Sequence, residues 1–139
     1  MMLTDNDRNV FAALADIIIP AWENKPAAST VGVQDELLDT VLRVRPDLAE
    51  GIMRAIGFCR NRGASEAINA LYREDRPAFD DFTLAATGGY YMSETVRQVI
   101  GYPGQESPAY DAHATPDYLT DGSLERVVRR GPIYRPTPR

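Results

Sequence analysis

The run Thr4–Pro20, TDNDRNVFAALADIIIP, decides the fold. It ends in Asp16–Pro20, DIIIP, which is rich in β-formers and short enough to pass for a strand. Read with what precedes it, the same run is the end of a helix. Thr4 is an N-cap residue, with Asp7 three positions on as a capping-box partner. Val10, Leu14, Ile17 and Ile18 then share one helical stripe, and Pro20 cannot continue it. If DIIIP is helical, no β alternation remains in the first hundred residues, and the class is all-α.

The residues that follow repeat this logic. Pro20–Thr30, PAWENKPAAST, is a loop held by two prolines and ending in polar cap residues. A second helix is expected over about 33–44, with Val33, Leu37, Val41 and Val44 on one face. Pro46 restarts a helix at its first turn, with a stripe of Leu48, Ile52, Ile56 and Cys59, and Gly63 is placed as its C′ residue. Ser65 is expected to cap a fourth helix, whose apolar side is Ile68, Leu71 and Tyr72. Pro77 opens a fifth, lined by Phe79, Phe82 and Ala86. Gly88 and Gly89 are expected to end and kink that helix. A short sixth helix then leads to the Gly101–Gly104 turn, GYPG. Each helix is too short to be stable alone, so stability must come from mutual packing. The expectation is a small bundle of about five or six short helices over residues 4–102.

At Gly101 the composition changes. Six of the ten prolines lie from Pro103 onward, with Tyr110, Tyr118 and Tyr134 among them. Residues 103–139 read as an extended arm stiffened by proline, with tyrosine anchors and one brief helix near Ser123–Arg130. Charge divides the same way. The chain carries a net −5, yet Arg126, Arg129, Arg130, Arg135 and Arg139 close it with no acid among them. An acidic body argues against nucleic acid as the partner; a basic end favours something acidic. There is no apolar run of 18 residues, so no membrane span is expected.

The chemical inventory is thin. Cys59 is the only cysteine, which excludes an internal disulfide and a cysteine metal cluster. It falls on an apolar stripe and reads as a buried thiol. His113, the only histidine, has no nucleophile or ligand near it in sequence. Asp80 and Asp81 are helix neighbours that diverge by about 100° and make a poor catalytic dyad. No glycine-rich phosphate loop follows a strand. The expectation is no catalytic, cofactor or metal residue in this chain, and machinery for interaction instead.

Three segments carry a resemblance: Leu14–Ala21, LADIIIPA; Gly32–Leu42, GVQDELLDTVL; and Gly89–Gly104, GYYMSETVRQVIGYPG. In order and spacing they resemble the gluconate 2-dehydrogenase subunit 3 family. These are the small, or gamma, subunits of FAD-dependent sugar dehydrogenases, glucoside 3-dehydrogenase among them. The resemblance covers roughly residues 4–104. It implies a non-catalytic accessory, maturation or stabilising subunit of a hetero-oligomeric oxidoreductase complex. The partner would be a large catalytic subunit of the glucose–methanol–choline (GMC) type that holds the FAD, with a cytochrome subunit as a further candidate. Many relatives carry a twin-arginine export signal. None precedes Thr4 here, which gives an expectation of a cytoplasmic complex, or a periplasmic one if the signal was trimmed or sits on a partner.

The candidate interface residues are Tyr90, Tyr91, Tyr102, Pro103, Tyr110, Tyr118, Arg126, Arg130 and Tyr134. Two other readings stand beside this one: a free-standing helical adaptor with a disordered tail, and a small self-sufficient enzyme relying on Cys59 or His113.

Overall fold

The computed structural model describes residues 3–107, 111 and 113–133. The chain divides into two compact units, Met1–Gln105 and Glu106–Arg139. The described residues are helical and contain no strand, only an isolated bridge between Trp22 and Lys25. The protein is all-α.

In the first unit α1 spans Asp5–Ile18 and begins with a complete capping box. The Thr4 Oγ1 accepts from the Asp7 backbone N–H at 3.2 Å, and the Thr4 backbone N–H donates to Asp7 Oδ2 at 3.0 Å. At its other end the Asp16 carboxylate accepts from the Ser29 N–H and hydroxyl at 2.7 and 2.6 Å. The isoleucine run therefore closes a helix, and the loop after Pro20 folds straight back onto it, with Ala28 N–H reaching the Ile19 carbonyl.

The second helix departs from its expected register. Gly32 adopts φ +71°, a left-handed conformation that glycine enters without strain. A π-helical turn, Val33–Leu37, follows, broken at Asp35, and only then does α2 run over Leu38–Val44. The wider turn brings Val33 and Leu38, five residues apart, into the core together. Leu38 is fully buried and Val44 is 70% exposed. The stripe assigned from 3.6-residue periodicity is therefore corrected at both positions. Arg8 of α1 reaches the kinked segment: its Nη1 donates to Gln34 O at 2.7 Å and to Asp35 O at 3.2 Å, the latter carbonyl also accepting from Leu38 N–H.

After a 3₁₀ turn at Pro46–Leu48, α3 runs over Ala49–Cys59 and α4 over Ala64–Glu74. The α3 stripe of Leu48, Ile52, Ile56 and Cys59 is buried as expected. Gly63 is not a left-handed C′ residue. It is extended (φ −61°, ψ 131°) and is the N-cap of α4, while Ser65 lies inside that helix. Tyr72, placed on the apolar side of α4, is 48% exposed. It stacks edge-on against Phe79 and under the Arg76 guanidinium.

Helix α5, Arg76–Met92, is the longest, capped by the Asp75 carboxylate at Ala78 N–H, with Pro77 in its first turn. It runs unbroken through Gly88 and Gly89, so these glycines neither end nor kink it. α5 packs against α3, α4 and the 33–44 segment. Phe82 is fully buried and meets Phe11 of α1 edge-to-face at 4.9 Å. Burying each such large side chain contributes about 1.5–3 kcal/mol. A short α6, Glu94–Val99, completes the unit. The second unit contains α7, Asp117–Thr120, and α8, Ser123–Arg130, the latter with the bounds read from the sequence.

Candidate functional site

The segment Gly89–Gly104 turns an ordinary helix end into a rigid display of aromatic side chains. Gly89 makes the close approach possible. A Cβ there would lie 3.3 Å from Val33 Cγ1 and 3.7 Å from Leu37 Cβ. Tyr90 follows into the core at 5% exposure, and its hydroxyl donates to the Pro26 carbonyl at 2.8 Å. Burial pushes the Tyr90 phenol above its usual range, so it stays a neutral donor. Tyr91 packs edge-on against Tyr90 at 5.5 Å but is itself 59% exposed.

Ser93 begins α6, whose end is a Schellman motif. Gly101 takes φ +69°, its N–H reaching Gln98 O at 3.1 Å, while Tyr102 N–H reaches Arg97 O at 2.8 Å. Pro103 cannot extend the helix. The Gly-Tyr-Pro turn thus fixes the backbone of Tyr102 and leaves its ring exposed.

An apolar cleft of about 190 Å³ lies between α2 and α5. Val44, Leu84 and Met92 line it, with Gly88 in its wall. A Cβ on Gly88 would meet nothing within 4 Å, unlike one on Gly89. Nearby in sequence to Pro26, Trp22 is 68% exposed at a tight turn. Trp22 and Lys25 exchange backbone hydrogen bonds at 3.0 and 2.8 Å, and Glu23 is held at φ +52°.

Of the candidate interface residues, Tyr91, Tyr102 and Pro103 are exposed on the first unit. Tyr90 is buried and packs beneath Tyr91. Tyr118, Arg126 and Arg130 are exposed on the second unit; Tyr110 and Tyr134 lie outside the described residues. Trp22, Val44, Leu84 and Met92 were missed. Trp22 sits in a loop without periodicity, and Val44 was masked by the π turn. Leu84 and Met92 fall off the α5 stripe, which was the available signal.

The chemically reactive side chains are dispersed. Cys59 is 3% exposed, and burial raises its thiol pKa despite the nearby Arg62. Arg60 instead donates to Asp7 at 2.5 Å. His113 is exposed, its backbone N–H bonded to the Asp111 carboxylate. Asp80 pairs with Arg76 at 2.7 Å, whereas Asp81 lies against Gly51 of α3. Among the described residues no three His, Cys, Asp or Glu side chains converge to hold a metal ion, and no helix is long and apolar enough to cross a membrane.

Fold and surface together define a small all-α protein whose most organised surface features are apolar and aromatic. No protein-family model, curated protein or solved structure matches the chain.

Proposed function

We propose that this chain is the small accessory subunit of an FAD-dependent GMC-type sugar or alcohol dehydrogenase, stabilising a large subunit that holds the flavin and performs the chemistry. The observation that carries this reading is the exposure of two tyrosines, Tyr91 and Tyr102, in Gly89–Gly104, one of the three segments that resemble the gluconate 2-dehydrogenase small subunits. Two half-exposed tyrosines, one backed by a buried tyrosine and one following a Schellman turn, are preorganised and lose little entropy on contact. Aromatic residues of this kind dominate interface hot spots. The cleft formed by Val44, Leu84 and Met92 adds further apolar surface on the same unit.

Co-expression with a GMC-type flavoprotein from the same organism tests the proposal. A yellow complex should elute from gel filtration with both chains in fixed ratio. A colourless monomer that leaves the flavoprotein unbound would favour the free-standing adaptor. Sugar oxidation or tight flavin binding by the isolated chain would favour a self-sufficient enzyme.

A further inference from the structure

The π turn Val33–Leu37 is held from two sides, packing against both α1 and α5. From α1 the Arg8 guanidinium spreads over it. Nη1 donates to Gln34 O at 2.7 Å and Asp35 O at 3.2 Å, and Nη2 to the two Asp39 carboxylate oxygens at 2.8 and 3.1 Å. A planar fork with several contacts fixes direction as well as distance, which a point charge does not. The Arg8 side chain is 21% exposed, so solvent ions screen these contacts only in part.

From α5 the turn meets Gly89. Val33 Cγ1 and Leu37 Cβ are the atoms that a Gly89 Cβ would approach most closely, at 3.3 and 3.7 Å. Glycine puts no side chain of its own between the helix backbone and that wall. Tyr90 and Tyr91 follow at once. Adjacent helical residues differ by about 100° of rotation. One angle, the rotation of the last α5 turn about its axis, therefore sends Tyr90 inward and Tyr91 outward. The Tyr90 hydroxyl on Pro26 O holds the tip of one ring. The Val33–Leu37 wall holds the backbone that carries both.

We infer that Arg8 is a positioning residue for the Tyr91 surface: by clamping the π turn from α1 it fixes the wall on which Gly89 seats, and through that wall the direction in which Tyr91 is presented. That a partner reads this direction rests on the accessory-subunit reading. The coupling of Arg8 to Tyr91 is a property of the chain alone.

The experiment places a fluorine-labelled tyrosine at position 91 of the full chain and follows its fluorine NMR line well below the melting temperature. The line senses the Tyr90 ring, which stands edge-on at 5.5 Å. Arg8→Gln removes the clamp. Arg8→Lys keeps a cation for Asp39 without the fork. Gly89→Ala presses on Val33 from the opposite side with Arg8 intact. All three should move or broaden the Tyr91 line, and hydrogen exchange of the 33–38 amides should quicken at least about tenfold in Arg8→Gln. Ile68→Val, which removes a buried methyl from α4 and lowers stability with the clamp intact, should leave the line in place.

A Tyr91 line unmoved by Arg8→Gln, with only the melting temperature lowered, would reduce Arg8 to a stabilising contact and overturn the inference. So would a line restored in Arg8→Lys, unmoved by Gly89→Ala, or shifted as far by Ile68→Val. Where Arg8→Gln does not fold, the other two variants carry the test. A titration with the large subunit judges the accessory-subunit reading separately. If wild type does not bind, that reading falls, while the Tyr91 line still decides the coupling. If wild type binds, Arg8→Lys should weaken binding several-fold; undiminished binding would mean that the partner does not read the direction Arg8 sets.

Discussion

The Tyr90 hydroxyl donates to the Pro26 carbonyl at 2.8 Å across 64 positions of sequence. That bond ties the end of α5 to the loop that carries Trp22. It also separates two adjacent tyrosines into different roles, Tyr90 as a buried strut and Tyr91 as an exposed ring. Tyr90→Phe should destabilise the chain by about 1 kcal/mol, the usual net worth of such a bond. Tyr90→Ala should cost about 3–5 kcal/mol through the cavity it leaves. Tyr91→Ala should change stability by no more than about 0.5 kcal/mol, yet weaken binding to the large subunit. Urea unfolding of the isolated chain and a binding titration separate the effects. Equal unfolding midpoints for Tyr90→Ala and Tyr91→Ala would refute the division.

The same substitution in one helix should have opposite signs. A Cβ on Gly51 of α3 would lie 1.9 Å from Asp81 Oδ2 and 2.7 Å from its Cβ, so the Asp81 side chain or the helix crossing must shift. Gly57 is exposed, and its added Cβ meets nothing within 4 Å. Gly51→Ala should destabilise by about 1–3 kcal/mol, as overpacking does. Gly57→Ala should stabilise by about 0.5–1 kcal/mol through helix propensity. Thermal melts of the two variants should move in opposite directions from wild type; a shared direction would argue against the close α3–α5 contact.

Asp7 gives the first unit an acid-sensitive tether. Its carboxyl is held below the usual value of 3.8, first by the Thr4 hydroxyl, then by the Thr4 backbone N–H and by Arg60. Because the folded pKa lies below the unfolded one, this contribution is fully present above about pH 4 and fades as the pH falls through the folded value. Unfolding midpoints measured from pH 6 downward should therefore converge for wild type and Asp7→Asn. Wild type should be the more stable only at the higher pH. A difference that stays constant with pH would remove the ionised carboxylate from the explanation.

The buried core of the first unit draws on residues from Phe11 to Val96, all before Gly104. Truncation after Gly104 should leave its helical circular dichroism and melting temperature essentially unchanged. The same truncation should weaken the complex with the large subunit. Unfolding of the truncated chain would mean that the C-terminal residues complete this unit's core; undiminished binding would remove them from the interface.

Much of the helical framework was written locally. Thr4 with Asp7, Pro20, Pro46 and Pro77 act within a turn of where they stand, and the stripe of Leu48, Ile52, Ile56 and Cys59 needs only a regular helix to reach the core. These signals survive because capping and periodicity depend on neighbours in sequence. They also exposed the tyrosine-rich segment and the brief helix near Ser123–Arg130.

Tertiary structure decided the rest. No local pattern announced the π turn after Gly32, where the donor to the Gln34 and Asp35 carbonyls is Arg8, 26 and 27 positions away. That turn sends Leu38 inward and Val44 outward. Nor could adjacency distinguish Tyr90 from Tyr91, or Gly88 from Gly89. In a helix, neighbours differ by about 100° of rotation, and which one faces the core depends on where Val33 and Pro26 sit. The sequence by itself determined that the protein is all-α and which segments are broadly helical. The packing of α5 against distant segments determined which side chains remain exposed, because burial is settled only when the whole bundle closes.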